Sequence, residues 1–181
     1  MTGRTLGELQ QRRPVEGHVI SSEAYLSTVR DRLIEDDCEV TDEAIGPLHA
    51  MVGYRSNIKG LSKMHLFTAV ASVPEVNEAT VRDFAHQVSD YAKTQKGRFR
   101  GAQSGVLALP VLVTSNADDA AKRVAASPFR LGVGGFAAMV QPAVIDLAEG
   151  RVHTFRGRRL WGAAFAGYLR KKSTLYLPDP A

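Results

Sequence analysis

The chain has 181 residues, of which 44% are hydrophobic and 23% charged, and its formal net charge is +4. This length allows a full hydrophobic core, and the composition argues against disorder and against a fibrous architecture. The single cysteine, Cys38, excludes an internal disulfide and a zinc site made of several cysteines. Since no apolar run has the length of a signal peptide or a membrane span, we expect a cytoplasmic protein that does not bind membranes.

Residues 1–20 show little hydrophobic periodicity, and we interpret them as an N-terminal arm. Residues 21–181 are predicted to form a single α/β domain. Its first element is a helix over 22–35, because apolar side chains from Tyr25 to Leu33 recur at helical spacing.

Three predicted strands follow, over 38–45, 48–54 and 64–73. The third strand is apolar on both sides, which favours a central position with helices on both faces of the sheet. Residues 56–60 contain Asn and Gly, which are typical of a turn, and predict that the second and third strands form a hairpin.

His65 is predicted to be a buried core residue. A hairpin centred on Ile58 places it opposite Met51, and it shares one side of its strand with Phe67 and Ala69. A hydrogen-bonded histidine in the core is a more common outcome of this pattern than a catalytic one.

The next elements are a helix over 78–95, which carries one apolar stripe, a strand over 106–114 and a short helix over 117–126. Pro110 lies inside this fourth strand. Because proline cannot donate a hydrogen bond to a neighbouring strand, it predicts a bulge or an edge position there.

A fifth strand is predicted over 136–147, interrupted at Pro142, then a sixth over 151–155 and a last helix over 161–176. The element order is therefore α-β-β-β-α-β-α-β-β-α. Helices that alternate with buried strands favour the α/β class, with a mixed central sheet flanked by helices.

The order α-β-β-β-α-β over residues 22–126 resembles the core of the restriction-endonuclease-like fold, also called the PD-(D/E)xK fold. Residues 23–45 are similar to its opening helix and strand, and residues 105–125 are similar to the late strand and helix of Mrr-type nucleases. This resemblance implies a fold in which carboxylates on the second and third strands hold a divalent metal that cleaves nucleic acid.

The catalytic pattern of that family is missing from this chain. Its members resemble one another in an acidic residue on the second strand and an acidic-x-lysine motif on the third, whereas here no Asp or Glu occurs between Glu43 and Glu75. The resemblance therefore implies a degenerate member without nuclease activity, metal or other cofactor. A different strand register would leave Glu43 or Glu75 as the nearest carboxylates.

The sequence gives little indication of a metal site or of a reactive cysteine. The five histidines form no H-x-x-x-H pair, so a metal site would have to be assembled from distant segments, and we expect none. Cys38 lies among Asp36, Asp37 and Glu39, whose charges disfavour a thiolate, and we interpret it as a structural cysteine.

Positive charge is concentrated late in the chain. Residues 1–50 carry ten acidic and five basic side chains, whereas residues 151–181 carry one acidic and seven basic side chains. Clustered Lys and Arg can neutralise phosphates, and the candidate nucleic-acid-binding residues are Lys93, Lys96, Arg98, Arg100, Arg156, Arg158 and Arg159. The alternative is a solvated surface on which the basic last helix neutralises the acidic first helix.

These patterns favour a non-enzymatic domain that binds a macromolecule, either a protein or a nucleic acid. An alternative is an enzyme with a site around Tyr54, Arg55, Lys59 and His65, which requires these four residues to converge in one pocket. A third interpretation is a structural subunit of a protein assembly, which requires an exposed apolar patch.

Overall fold

The computed structural model describes residues 20–59, 62–97, 104–129, 138–157 and 163–180. The helices are α1 (Ser22–Glu35), α2 (Glu78–Gly97), α3 (Asp119–Ala125) and α4 (Ala163–Tyr176). The strands are β1 (Glu39–Ile45), β2 (Leu48–Lys59), β3 (Ser62–Ser72), β4 (Ser104–Thr114), β5 (Ala138–Val140), β6 (Ala143–Asp146) and β7 (Arg151–Thr154). The predicted α/β class is confirmed.

The strands form one mixed sheet in the order β1-β2-β3-β4-β6-β7, and β5 also pairs with β4. β1, β2 and β3 form an antiparallel meander. β4 runs parallel to β3, β5 and β6, whereas β7 is antiparallel to β6. β3 and β4 therefore lie in the interior of the sheet, and for β3 this position was predicted from its apolar character on both sides.

Helices cover both faces of the sheet. α1 and α4 pack on one side, the α1/α4 face, and α2 and α3 pack on the other, the α2/α3 face. The apolar stripe of α2 includes Phe84, which is 2% exposed; burial of such a side chain contributes about 1.5–3 kcal/mol. Among the described residues no helix is long and apolar enough to cross a membrane.

The β2–β3 hairpin is longer than predicted and has a different register. Lys59 pairs with Ser62, so the hairpin is centred beyond Ile58, and His65 lies opposite Ser56 rather than Met51. Ser56 and Ile58 belong to the paired strand, because pairing with β3 continues past the residues whose chemistry suggested a turn.

Pro110 occupies a regular position in the interior strand β4, so the predicted bulge or edge position is wrong. The backbone groups of Ala108, Pro110 and Thr114 point to the same side of β4, because alternate residues of a strand do so. On that side, which faces β5 and β6, the carbonyls of Ala108 and Thr114 accept hydrogen bonds from the amides of Gln141 and Leu147. A donor at Pro110 would point to that side, where β5 and β6 are interrupted. The missing N–H thus coincides with a gap in the neighbouring strand.

The same gap, at Gln141 and Pro142, divides the single predicted fifth strand into β5 and β6. The element order is therefore α-β-β-β-α-β-α-β-β-β-α, with one more short strand than predicted. Residues 136–137 of the predicted strand, and all but Ile20 of the predicted N-terminal arm, lie outside the described residues.

Candidate functional site

Of the four residues of the predicted enzyme site, the structure brings Tyr54 and His65 together and places Arg55 away from them. Tyr54 and His65 lie on the α2/α3 face, where Tyr54 Oη and His65 Nδ1 are 2.8 Å apart. Arg55 points to the opposite face, because successive side chains of a strand alternate. Lys59 ends β2, and its side chain lies outside the described part of the chain. His65 is 1% exposed, which agrees with a core histidine.

Arg55 instead belongs to a polar cluster between α1, β2 and α4, which we call the Asp36 cluster. Lys172 and Tyr176 both donate hydrogen bonds to one oxygen of Asp36, and Arg55 Nη1 lies 3.1 Å from the other oxygen. The Lys172 side chain is 8% exposed and that of Asp36 17%. The cluster therefore joins the end of α1 to the sheet and to α4.

The charges of the Asp36 cluster offset the cost of burying it. Burial raises the pKa of Asp36, but hydrogen bonds from Lys172 and Tyr176 and the positive charges of Lys172 and Arg55 outweigh burial, and the net pKa is lowered. Asp36 is consequently ionised at neutral pH. From the sequence, Asp36 was predicted only to disfavour a thiolate at Cys38.

Cys38 borders this cluster, with its Sγ 3.5 Å from Tyr176 Oη. Burial raises the pKa of the Cys38 thiol, so a reactive thiolate is disfavoured. This agrees with a structural cysteine.

A second polar group lies at the turn between β6 and β7. Ligand atoms of Asp146, Glu149 and His153 lie within 4.8 Å of one another, a spacing that could hold a metal ion. They come from the end of β6, the turn and β7, whereas we expected from the sequence that a metal site would need distant segments. The signal missed was the short spacing D-x-x-E-x-x-x-H.

A side-chain cation already fills this turn. Lys122 Nζ lies 2.9 Å from Asp146 and 2.6 Å from Glu149, and His153 Nε2 lies 3.2 Å from the other Glu149 oxygen. Hydrogen bonds to the two carboxylates raise the pKa of Lys122, so its ammonium stays charged. A metal ion would have to displace it, and the arrangement serves as an ion-pair network that ties α3 to the turn.

A cleft of about 460 Å³ lies between α1 and strands β1–β3. Its carboxylates, Glu23 and Asp42, come from α1 and β1, and Asp42 pairs with Arg30 at 2.8 Å. β2 and β3 contribute no carboxylate to it. This cleft therefore lacks the acidic groups on the second and third strands that a nuclease of the resembled family would need.

The predicted nucleic-acid-binding residues are only partly described. Lys93 pairs with Asp90 at 3.0 Å on α2. Arg156 lines a cleft of about 200 Å³ between β7 and α4, together with Arg170 of α4. The side chain of Lys96 and the residues Arg98, Arg100, Arg158 and Arg159 lie outside the described part of the structure.

Comparisons of the chain with models of known protein families, with curated proteins and with solved structures return no match. The restriction-endonuclease-like fold therefore stays a prediction drawn from the sequence.

Proposed function

We propose that the protein is a non-enzymatic domain that binds nucleic acid through the sugar-phosphate backbone, with little preference for sequence. Two long segments of the chain, 91–117 and 150–178, contain no Asp or Glu. Together they carry eleven basic residues: Lys93, Lys96, Arg98, Arg100, Arg151, Arg156, Arg158, Arg159, Arg170, Lys171 and Lys172. Such a concentration of one charge attracts phosphates.

The observation that carries this proposal is a contact between the residues that follow the two basic runs. Gly105 comes five residues after Arg100, and Phe165 comes six residues after Arg159. A Cβ atom at Gly105 would lie 3.1 Å from Phe165 Cε1, so the start of β4 and the first turns of α4 are packed together. This favours one combined basic surface over two separate ones.

Internal neutralisation accounts for part of this charge. α1 and α4 are neighbours, and Asp36 pairs with Lys172, as the neutralisation interpretation expects. Arg156, Arg170 and Lys171, however, are exposed and form no ion pair within the described residues. The interpretation as a structural subunit, which requires an exposed apolar patch, has less support. Among the described residues only three large hydrophobic side chains are exposed: Ile34, Ile58 and Leu175.

The test is fluorescence anisotropy with labelled single- and double-stranded oligonucleotides at about 50 mM and about 200 mM salt. We expect binding that weakens as salt rises, with a slope of log K against log salt of roughly −3 to −5 for about four to six phosphate contacts. In Mg²⁺ the DNA should stay intact, because β2 and β3 carry no carboxylate. Absence of binding at the lower salt concentration would contradict the proposal.

A further inference from the structure

We propose that the cleft between β7 and α4 binds a phosphate group. This assigns one phosphate site within the proposed function, and the proposal rests on that function only for the source of the phosphate. The cleft has a volume of about 200 Å³. Its lining includes two arginines, Arg156 and Arg170, and one carboxylate, Asp179.

The donors of the cleft come from separate elements. Arg156 follows β7, and Arg170 lies on α4; both are exposed, and neither forms an ion pair within the described ranges. A guanidinium group has five N–H donors in a planar fork that matches the oxygens of a phosphate. Two such groups facing one cleft repel each other, and an anion between them relieves that repulsion.

The position of Arg156 is restrained by its neighbours. A Cβ atom at Gly157 would lie 2.6 Å from Phe155 Cζ, so the Phe155 ring packs directly over the glycine. Arg170 is restrained by the helix that carries it. The backbone that carries each arginine is thus held before a ligand arrives, which reduces the entropy cost of binding.

Asp179 is the one acidic residue of the lining, and it supplies a test with the opposite sign. Its Oδ1 accepts a hydrogen bond from the Val152 amide at 3.3 Å. Asn at this position could keep that hydrogen bond and remove the charge. D179N should therefore strengthen phosphate binding, whereas loss of either arginine should weaken it.

The experiment is a titration of the full chain with inorganic phosphate at constant ionic strength, followed by NMR of the arginine Nε–Hε groups. We expect saturable shifts, with affinity about tenfold weaker in R156A and in R170A and about fivefold tighter in D179N. R123A removes the same charge from an exposed position on α3, outside the cleft, and should bind as the wild type does. Shifts that do not saturate, or an equal loss in R123A, would overturn the proposal.

Oligonucleotides with a 5′-phosphate or a 5′-hydroxyl identify the source of the phosphate. Tighter binding of the phosphorylated strand, lost in R156A and R170A, would assign the site to nucleic-acid ends. Equal binding of both strands, with saturable inorganic phosphate, would assign it to free phosphate. Phosphate binding without oligonucleotide binding would refute the proposed function and leave the site; oligonucleotide binding without phosphate binding would do the reverse.

Discussion

Thr68 carries a buried hydroxyl without a hydrogen-bond partner among the described residues. Burying such a group costs free energy because it loses its hydrogen bonds to water and forms none in the folded protein. We therefore expect T68V to raise the free energy of unfolding by about 1 kcal/mol, measured by urea denaturation at pH 7.

Thr114 is the matched control for this prediction. Its hydroxyl is equally buried but donates to the Pro74 carbonyl at 3.0 Å and accepts from the Asn116 amide at 3.0 Å. T114V should lower the free energy of unfolding by about 2 kcal/mol, since it removes both hydrogen bonds at about 1 kcal/mol each. Changes of the same sign in both variants would refute this account of the two hydroxyls.

The Asp36 cluster predicts a pH-dependent loss of stability. D36N leaves Lys172 buried without its ion partner, and we expect a cost of about 3 kcal/mol at pH 7. Because the folded-state pKa of Asp36 is lowered, its contribution is fully present above the unfolded pKa of about 3.9 and is lost as pH falls through the folded pKa. The difference between wild type and D36N should therefore shrink at about pH 3.

Asp42 provides the comparison, since its side chain is 73% exposed and pairs with Arg30. D42N should cost less than about 1 kcal/mol in the same urea experiment. Equal losses in D36N and D42N would show that burial of the ion pair does not determine its contribution.

At the residue scale, part of the candidate site was readable from the sequence. Tyr54 and Arg55 are adjacent in a strand, and the alternation of strand side chains alone places them on opposite faces. Lys172 stands four residues from both Tyr168 and Tyr176 on one side of a helix, which indicates a lysine near the core that needs a partner. That the partner is Asp36, far away in the chain, depends on how α1 and α4 pack.

At the scale of elements, the docking of α1 depends on Gly53. A Cβ atom there would lie 2.8 Å from Leu33 Cδ2, and Leu33 is fully buried. We expect G53A to lower the free energy of unfolding by about 2 kcal/mol, because the helix must shift or the leucine must change its rotamer. Urea denaturation measures this free energy. The double variant G53A/L33A should have a higher free energy of unfolding than L33A alone.

Gly167 is the control glycine. It lies in α4, and a Cβ atom there would meet nothing within 4 Å. G167A should stabilise the protein by about 1 kcal/mol through helix propensity. If G53A were also stabilising, close packing of α1 on the sheet would not be the reason for a glycine at position 53.

The elements themselves were largely predictable, and their exceptions have local causes. Continuous apolar runs identified β3 and β4, and one apolar stripe identified α2. The hairpin register was not predictable, since residues suited to a turn are also tolerated in a strand while pairing continues. The prediction of a bulge or an edge at Pro110 was wrong because the gap that accommodates the proline lies in the neighbouring strand. The residues around Pro110 do not reveal that gap.

At the scale of the whole molecule, charge is divided between parts of the chain. The two acid-free segments, 91–117 and 150–178, meet where Phe165 packs on Gly105. Two lysines of these segments are paired: Lys172 with Asp36, the residue after α1, and Lys93 with Asp90. We propose that the remaining positive charge binds phosphates of nucleic acid.

The most direct measurement is the salt dependence of oligonucleotide binding in two matched double variants. R98A/R100A should flatten the slope of log K against log salt by about 1.4–1.8, because each arginine that neutralises a phosphate contributes about 0.7–0.9. R82A/R123A removes two exposed arginines from α2 and α3, away from the acid-free segments, and should leave the slope unchanged. An unchanged slope in R98A/R100A, or an equal change in both variants, would contradict the account.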